Sequence, residues 1–285
     1  MTKAKILHLV CFVCLAAFAG QPTLADRFLG RQVIVVDGRD DPSVPAPLVL
    51  AMHGFLGTAA NMRKKTEFDA LAQRHGFVAV YATGKRRRWN DGRSANNRTD
   101  DVGYLSALIK ALVADGTVDP RRVFLAGHSN GGGMAMRMAC ERSDLVRGIS
   151  VVATKSALNF QCKGGPPVPA IFFHGTRDPI SPHRGRSASS RLGGALSSAA
   201  TVALWRDRNR CKGIGRTQSV NTKDDGTSAQ IIQFSGCKAA LVHIEITGHG
   251  HDWPKPNGRA TRLQGPATKE LSATALSWRF FDSLF

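Results

Sequence analysis

The sequence is short of acidic residues: 21 Asp and Glu stand against 39 Lys and Arg, a formal net charge of +18. A deficit of this size favours acidic partners such as nucleic acid, anionic lipid or acidic polysaccharide, and says nothing about fold. Long apolar stretches are also missing. The longest run, residues 6–19, falls short of the roughly 20 residues a spanning helix needs, which excludes a polytopic membrane protein. The composition lacks the low hydrophobicity of a disordered chain, with 42% hydrophobic and 21% charged residues. We find no internal repeat, no low-complexity linker and no appended module of the kind that binds an insoluble polymer. What remains is a chain of 285 residues, ample for one large domain with a buried core.

The N-terminus reads as a targeting segment. Lys3 and Lys5 precede the apolar run, and small residues at Thr23 and Ala25 flank Leu24. A basic start, a short apolar centre and small residues at the minus three and minus one positions describe a secretory signal peptide. Cleavage is expected after Ala25, with Ala19 as the alternative, giving a leader at 1–25 and one domain at 26–285. Cys11 and Cys14 depart with the leader. The mature protein is expected in the periplasm or the medium, without a transmembrane segment. In that oxidising setting Cys140, Cys162, Cys211 and Cys237 read as two disulfides, of which three pairings are possible. Sequential pairing closes the shortest loops. The four contain no close C-x-x-C pair of the zinc-binding kind.

Strand patterns at 32–36, 47–52, 77–81, 122–126, 148–153, 169–173 and 240–246 alternate with helical patterns at 62–75, 101–114, 131–141, 187–208 and 268–281. Several strand runs are continuously apolar, as in strands covered on both faces. The alternation predicts an α/β fold with a mostly parallel sheet and helices on both faces.

Chemistry concentrates at Gly127-His128-Ser129-Asn130-Gly131, between a strand pattern and a helix pattern. A G-x-S-x-G run in that position is a nucleophile elbow: a turn tight enough to need flanking glycine, lifting the Ser129 hydroxyl above the sheet. The Asn130 N–H is then free to donate to an oxyanion. A serine hydroxyl needs a base, and the base an orienting carboxylate. In the α/β-hydrolase fold these follow in the order Ser, Asp, His, each after a strand. Asp178 follows the strand at 169–173, and both His249 and His251 follow the strand at 240–246. Residue chemistry alone does not choose between these histidines, and His249-x-His251 with Asp252 or His243 also has the makings of a metal set. The Ser-Asp pair makes the hydrolytic reading the more economical. His243 reads as structural and His128 as packing in the elbow. A second oxyanion donor is expected from His53-Gly54-Phe55-Leu56-Gly57, with the Phe55 N–H as candidate and its side chain as a wall.

Together these residues resemble the poly(3-hydroxybutyrate) depolymerase-like esterases, which overlap the feruloyl and acetylxylan esterases of carbohydrate esterase family 1. The resemblance spans about residues 45–254. It rests on His53-Gly54, Trp89-Asn90, Asp100 to Leu105, the run Gly127 to Gly132, His174-Gly175-Thr176-x-Asp178, and Gly250-His251-x-Trp253-Pro254. It implies an α/β-hydrolase fold and selects His251 as the base, since the family's base stands two residues before that Trp-Pro. It also supports pairing Cys211 with Cys237 and Cys140 with Cys162. The chain departs from the family at His249, often glycine there, and at the basic run Lys85 to Arg88. It also lacks the linker and substrate-binding domain of secreted depolymerases that act on crystalline polyester.

The expectation is therefore a secreted serine carboxylic ester hydrolase in which Ser129, His251 and Asp178 act through an acyl-enzyme, needing no metal or organic cofactor. Polyester oligomers and feruloyl or acetyl polysaccharide esters are its expected substrate partners, with Trp89, Phe55 and Trp253 as candidate walls of an acyl site. A serine peptidase is possible on the same fold. From another class, Lys64-Lys65 and Lys85 to Arg88 could make a basic binding protein for nucleic acid or an anionic surface, although no nucleic-acid motif accompanies them. As a modifier, the charge would hold the enzyme near anionic surfaces or draw in acidic esters.

Overall fold

All side chains of Ala46–Met52, Val78–Ala82, Gly148–Val152 and Ala170–Gly175 are buried, so these strands must carry helices on both faces. The computed structural model describes residues 27–93, 97–162, 164–190 and 193–285; the expected leader at 1–25 lies outside them. In chain order the strands are β1 (Arg27–Phe28), β2 (Arg31–Asp37), β3 (Ala46–Met52), β4 (Val78–Ala82), β5 (Val118–His128), β6 (Gly148–Val152), β7 (Ala170–Gly175), β8 (Gly213–Val220), β9 (Ser228–Ser235) and β10 (Leu241–Thr247). The helices are α1 (Ala59–Thr66), α2 (Phe68–His75), α3 (Asp101–Ala114), α4 (Asn130–Glu141), α5 (Ser198–Arg208) and α6 (Ala273–Asp282).

These strands form one sheet in the order β1-β2-β4-β3-β5-β6-β7-β10-β9-β8. From β4 through β3, β5, β6 and β7 to β10 every pairing is parallel; β2 and the β9–β8 hairpin flank this block antiparallel. This is the α/β-hydrolase architecture in a single domain. Alternate residues of β3 feed two apolar layers. Leu48, Leu50 and Met52 face α3, α4 and α5, and Val49 and Ala51 face α1, α2 and α6. The second layer is rich in rings: Phe77 stacks on Trp278 at 4.1 Å and Phe124 on Phe281 at 4.6 Å, arrangements that add about 1 kcal/mol each to simple burial.

Four elements depart from the sequence expectation. The helix expected at 62–75 is two helices, because Glu67 adopts a left-handed conformation (φ 55°) and its N–H closes the first helix on Arg63 O. The turn delivers Phe68 into the core against Phe77 and Trp253. The helix expected from 187 begins only at Ser198. Before it, the Ser187 hydroxyl and carbonyl take the N–H groups of Ser189 and Ser190, the local bonding by which serine competes with a helix. Helix α6 starts at Ala273 rather than 268, capped by the Ser272 hydroxyl, because Thr268 and Glu270 are spent on His249 and on the Thr222–Lys223 backbone. The β8–β9 hairpin was not foreseen. Its strands are mostly exposed and polar, so they lack the apolar runs that marked the central strands.

Two disulfides tie loops to this frame. Cys140 at the end of α4 joins Cys162, and Cys211 after α5 joins Cys237 after β9. Closing loops 22 and 26 residues apart contributes about 3 kcal/mol each by restricting the unfolded chain.

Candidate active site

The parallel strands β3, β5, β7 and β10 all run toward one edge of the sheet, so the loops that leave them converge there. Ser129 follows β5 directly. Its backbone has φ 52° and ψ −118°, a strained conformation for a residue with a side chain. Crowding enforces it. A Cβ on Gly127 would come within 2.2 Å of Gly131 O, and one on Gly131 within 2.2 Å of Met52 O. The glycines let β5 turn into α4 in a single residue against β3, and Ser129 N–H anchors the turn on Val152 O at 2.8 Å.

His251, after β10, presents Nε2 to the Ser129 hydroxyl at 3.0 Å and donates from Nδ1 to Asp178 Oδ2 at 2.7 Å. With the Nδ1 proton on Asp178, Nε2 is left as an acceptor for the Ser129 proton. The backbone of His251 is fixed at both ends. Its N–H donates to Gln264 O at 2.6 Å, and its carbonyl accepts from His128 Nε2 at 3.0 Å. Burial, then the charges of Lys65 and His251, push the His128 pKa far below its ordinary value, so the neutral ring holds its single proton on Nε2.

Asp178, after β7, also accepts the N–H groups of Ile180 at 2.9 Å and Ser181 at 2.6 Å. Burial raises its pKa, but hydrogen bonds from His251 and the Ser181 N–H outweigh that and hold the carboxyl below its ordinary range. His174 lies beneath, donating from Nε2 to Ser181 O at 2.9 Å, its pKa pushed down to about 3 by burial. Lys155, fully buried in the loop after β6, donates to Ser181 Oγ at 2.8 Å and Pro182 O at 2.7 Å. The segment that carries the carboxylate is thus tied down by a side chain of its own strand, His174, and one from the loop after β6, Lys155.

Asn130 N–H and Phe55 N–H have no hydrogen-bond partner among the described residues. The first is the leading amide of α4. The second follows Gly54, where an added Cβ would sit 3.3 Å from Ser129 Cβ. One amide thus belongs to the residue after Ser129, the other to the residue after a glycine packed against Ser129. The His53 loop is braced by the basic run: Leu56 N–H donates to Arg87 O at 2.8 Å, and the Arg87 guanidinium donates to Leu56 O.

A cavity of about 480 Å³ opens beside Ser129, walled by Phe55, Trp89, Asn130 and Ile180, with Arg88, Arg93 and Arg186 around it. A larger hollow of about 910 Å³ lies at the opposite edge of the sheet near Arg121, Arg147 and Phe285 and contains none of Ser129, Asp178 or His251. Trp89 is buried, its indole N–H on His53 O at 3.1 Å, and gives the cavity a ring edge. Trp253 is a correction to the sequence expectation. It sits in the core between Phe68 and α6, its indole N–H on Thr274 Oγ1 at 2.9 Å, away from the cavity. His249 is engaged elsewhere as well, with Nδ1 accepting Thr268 N–H at 3.0 Å and Nε2 on Asp252 O at 3.2 Å. His243 lies within β10, buried, near Ser198 Oγ at 3.4 Å.

Sequence reasoning missed Lys155, Asp91, Arg93 and Arg186. Lys155 sits beside Ala153-Thr154 at the end of a strand pattern, and position there was the available signal. Arg93 and Arg186 lie in segments with no regular pattern.

Comparison with known proteins agrees with this architecture. The family described as "Esterase PHB depolymerase" matches residues 43–162. Feruloyl esterase C of Emericella nidulans is 30% identical over 271 residues, covering 90% of this chain and 89% of that protein. Feruloyl esterase B of Piromyces equi is 24% identical over 212 residues, covering 72% of this chain and 39% of that protein. Among solved structures, the acetyl xylan esterase from Aspergillus awamori shares the fold with a TM-score of 0.59 at 16% identity, covering 82% of this chain and 93% of that one.

Proposed function

Because the chain belongs to the poly(3-hydroxybutyrate) depolymerase-like esterases and is a carboxylic ester hydrolase, we propose that Ser129, His251 and Asp178 perform its reaction as a triad. The observation that carries this reading is the continuous hydrogen-bond line from Asp178 Oδ2 through His251 to the Ser129 hydroxyl. Ser129 Oγ attacks the ester carbonyl while His251 Nε2 takes its proton. Asp178 holds the ring and stabilises the imidazolium that forms. Asn130 N–H and Phe55 N–H donate to the oxyanion of the tetrahedral intermediate. His251 returns the proton to the leaving alcohol, then activates water to release the acyl group.

Export is part of the same proposal. It is supported by the basic and apolar leader at 1–25 and by the two disulfides, which persist in oxidising compartments; no described helix is long and apolar enough to cross a membrane. The substrates we propose are polyhydroxyalkanoate-type oligomers or feruloyl and acetyl esters of polysaccharide, the latter because relatives of this chain are named as feruloyl and acetylxylan esterases.

The test is covalent labelling with a fluorophosphonate alongside hydrolysis of p-nitrophenyl butyrate. The adduct is expected on Ser129, with kcat reduced by about 10⁶ in Ser129→Ala. Undiminished hydrolysis by Ser129→Ala overturns the triad. A panel of methyl ferulate, acetylated xylan and amorphous polyhydroxybutyrate then ranks the substrates.

A further inference from the structure

The cavity beside Ser129 is unevenly charged. Arg88, Arg93 and Arg186 border it, and Asp91 is the one carboxylate among its described lining residues. Asp91 is already spent: Oδ2 accepts from Arg93 Nε at 2.8 Å and from Asn130 Nδ2 at 2.9 Å, and Oδ1 accepts Arg93 N–H at 3.2 Å. Among the described residues Arg88 and Arg186 have no ion-pair partner, and Arg186 Nε is buried with no hydrogen-bond acceptor. In the sequence, residues 92–99 and 179–206 contain no Asp or Glu.

Arg186 is half-buried, and for its Nε the loss of water without an acceptor is costly, since that donor loses hydration and gains nothing. Burial pulls the Arg186 pKa below its ordinary value, and the neighbouring charge of Arg93 pulls the same way. The arrangement is relieved by an anion that enters with the substrate. A carboxylate fits best, because its two oxygens match the planar guanidinium fork.

Resting on the serine-esterase reading above, we propose that this enzyme selects esters that carry a free carboxylate, received by Arg186 and Arg88 beside the scissile bond. Arg93, locked to Asp91, adds to the positive field and shapes the wall. This places part of the basic excess of the chain at the reaction itself. Two sources share the chemistry: the carboxyl end of a polyester oligomer, and a uronate on an esterified polysaccharide.

Paired substrates separate these sources. The linear dimer of 3-hydroxybutyrate is compared with its terminal amide, and methyl O-acetyl-glucuronoside with methyl O-acetyl-glucoside. In at least one pair kcat/KM is expected to favour the charged member by about tenfold or more, and the favoured pair identifies the source. Arg186→Gln should abolish the preference and Arg186→Lys restore part of it. The exposed Arg184→Gln, which removes the same charge from outside the cavity, should keep it. Each ratio is taken within one preparation, so a general loss of activity cancels; Arg88→Gln repeats the test should Arg186→Gln fail to fold. Equal turnover within both pairs, or an equal loss in Arg184→Gln, overturns the carboxylate site. If hydrolysis of the neutral members survives in Ser129→Ala, the triad reading itself has failed instead.

Discussion

Asn130 pairs with the backbone of Trp89 as a neighbouring strand would: its Oδ1 accepts Trp89 N–H at 2.7 Å and its Nδ2 donates to Trp89 O at 3.0 Å. Asn130 thus fixes the wall of the cavity beside Ser129 with its side chain, leaving its own N–H free for the oxyanion role we propose for it. Asn130→Ala removes the side chain alone. It strips two buried backbone groups and Asp91 of a partner, which costs about 1–3 kcal/mol. Steady-state kinetics on p-nitrophenyl butyrate should show KM raised about tenfold with a smaller change in kcat, because the wall moves while the amide remains. A large fall in kcat at unchanged KM would show instead that the side chain serves the reaction directly.

Asp178→Asn keeps the shape of the carboxylate and loses its charge. The N–H groups of Ile180 and Ser181 both point at Oδ1, so the new amide will place its oxygen there and its NH₂ toward His251. An NH₂ facing Nδ1 favours the ring tautomer with its proton on Nε2, where it can no longer accept from Ser129. We expect kcat to fall by about 10⁴ with the fold retained by circular dichroism. A loss under tenfold would remove Asp178 from the triad.

The parallel sheet and the elbow were legible in the sequence because both are written in local residue types. Continuous apolar runs mark strands covered on two faces, and Gly127 and Gly131 are dictated by backbone oxygens that an added Cβ would meet at 2.2 Å. The choice between His249 and His251 was not legible from chemistry, as both follow the same strand. It took the family resemblance to favour His251, and the structure places only that ring against Ser129. Trp253 was misread because a tryptophan two residues from a candidate base carries no sign of which way it faces, and here it faces the core. Lys155 and Arg186 escaped notice for a different reason. Their significance lies in burial and in which partners they have, and the local sequence encodes neither.

Lys155 makes stability depend on pH. Burial pulls its pKa down to about 7, against the attraction of Asp178 and aided by the repulsion of Arg186 and Arg93. Between about pH 7 and its ordinary value of 10.5 the unfolded chain holds this proton and the folded chain does not, so rising pH favours the fold across that window. Below it both states are protonated and the dependence vanishes. Lys155→Met has no such group. The urea midpoint of the wild type relative to this variant should therefore climb steadily from pH 7 to pH 10, while Tyr81, Tyr104 and the remaining lysines cancel in the comparison. Parallel profiles would falsify the assignment. The variant also unties Ser181 and Pro182 from the loop after β6, so kcat should fall several-fold at every pH.

Gly131→Ala tests the packing that makes the elbow possible. Its Cβ would lie 2.2 Å from Met52 O and 2.6 Å from His53 O, both backbone atoms at the end of a fully buried strand, so neither can swing aside. Relief requires α4 to move off β3. That displaces the Asn130 N–H at the start of α4 and disturbs the hydrogen bond that holds Ser129 to Val152. We expect a stability loss above about 3 kcal/mol, with residual activity of the folded fraction down by at least a hundredfold, as the oxyanion donors fall out of register. Gly133→Ala is the companion measurement. Its Cβ would meet the side chains of Asp91 and Arg93 at 2.6 and 3.1 Å, groups that can shift, so it should fold with a smaller loss and alter KM more than kcat. Equal damage from both substitutions would mean that helix packing in general, and not contact with the Met52 carbonyl, sets the requirement for glycine.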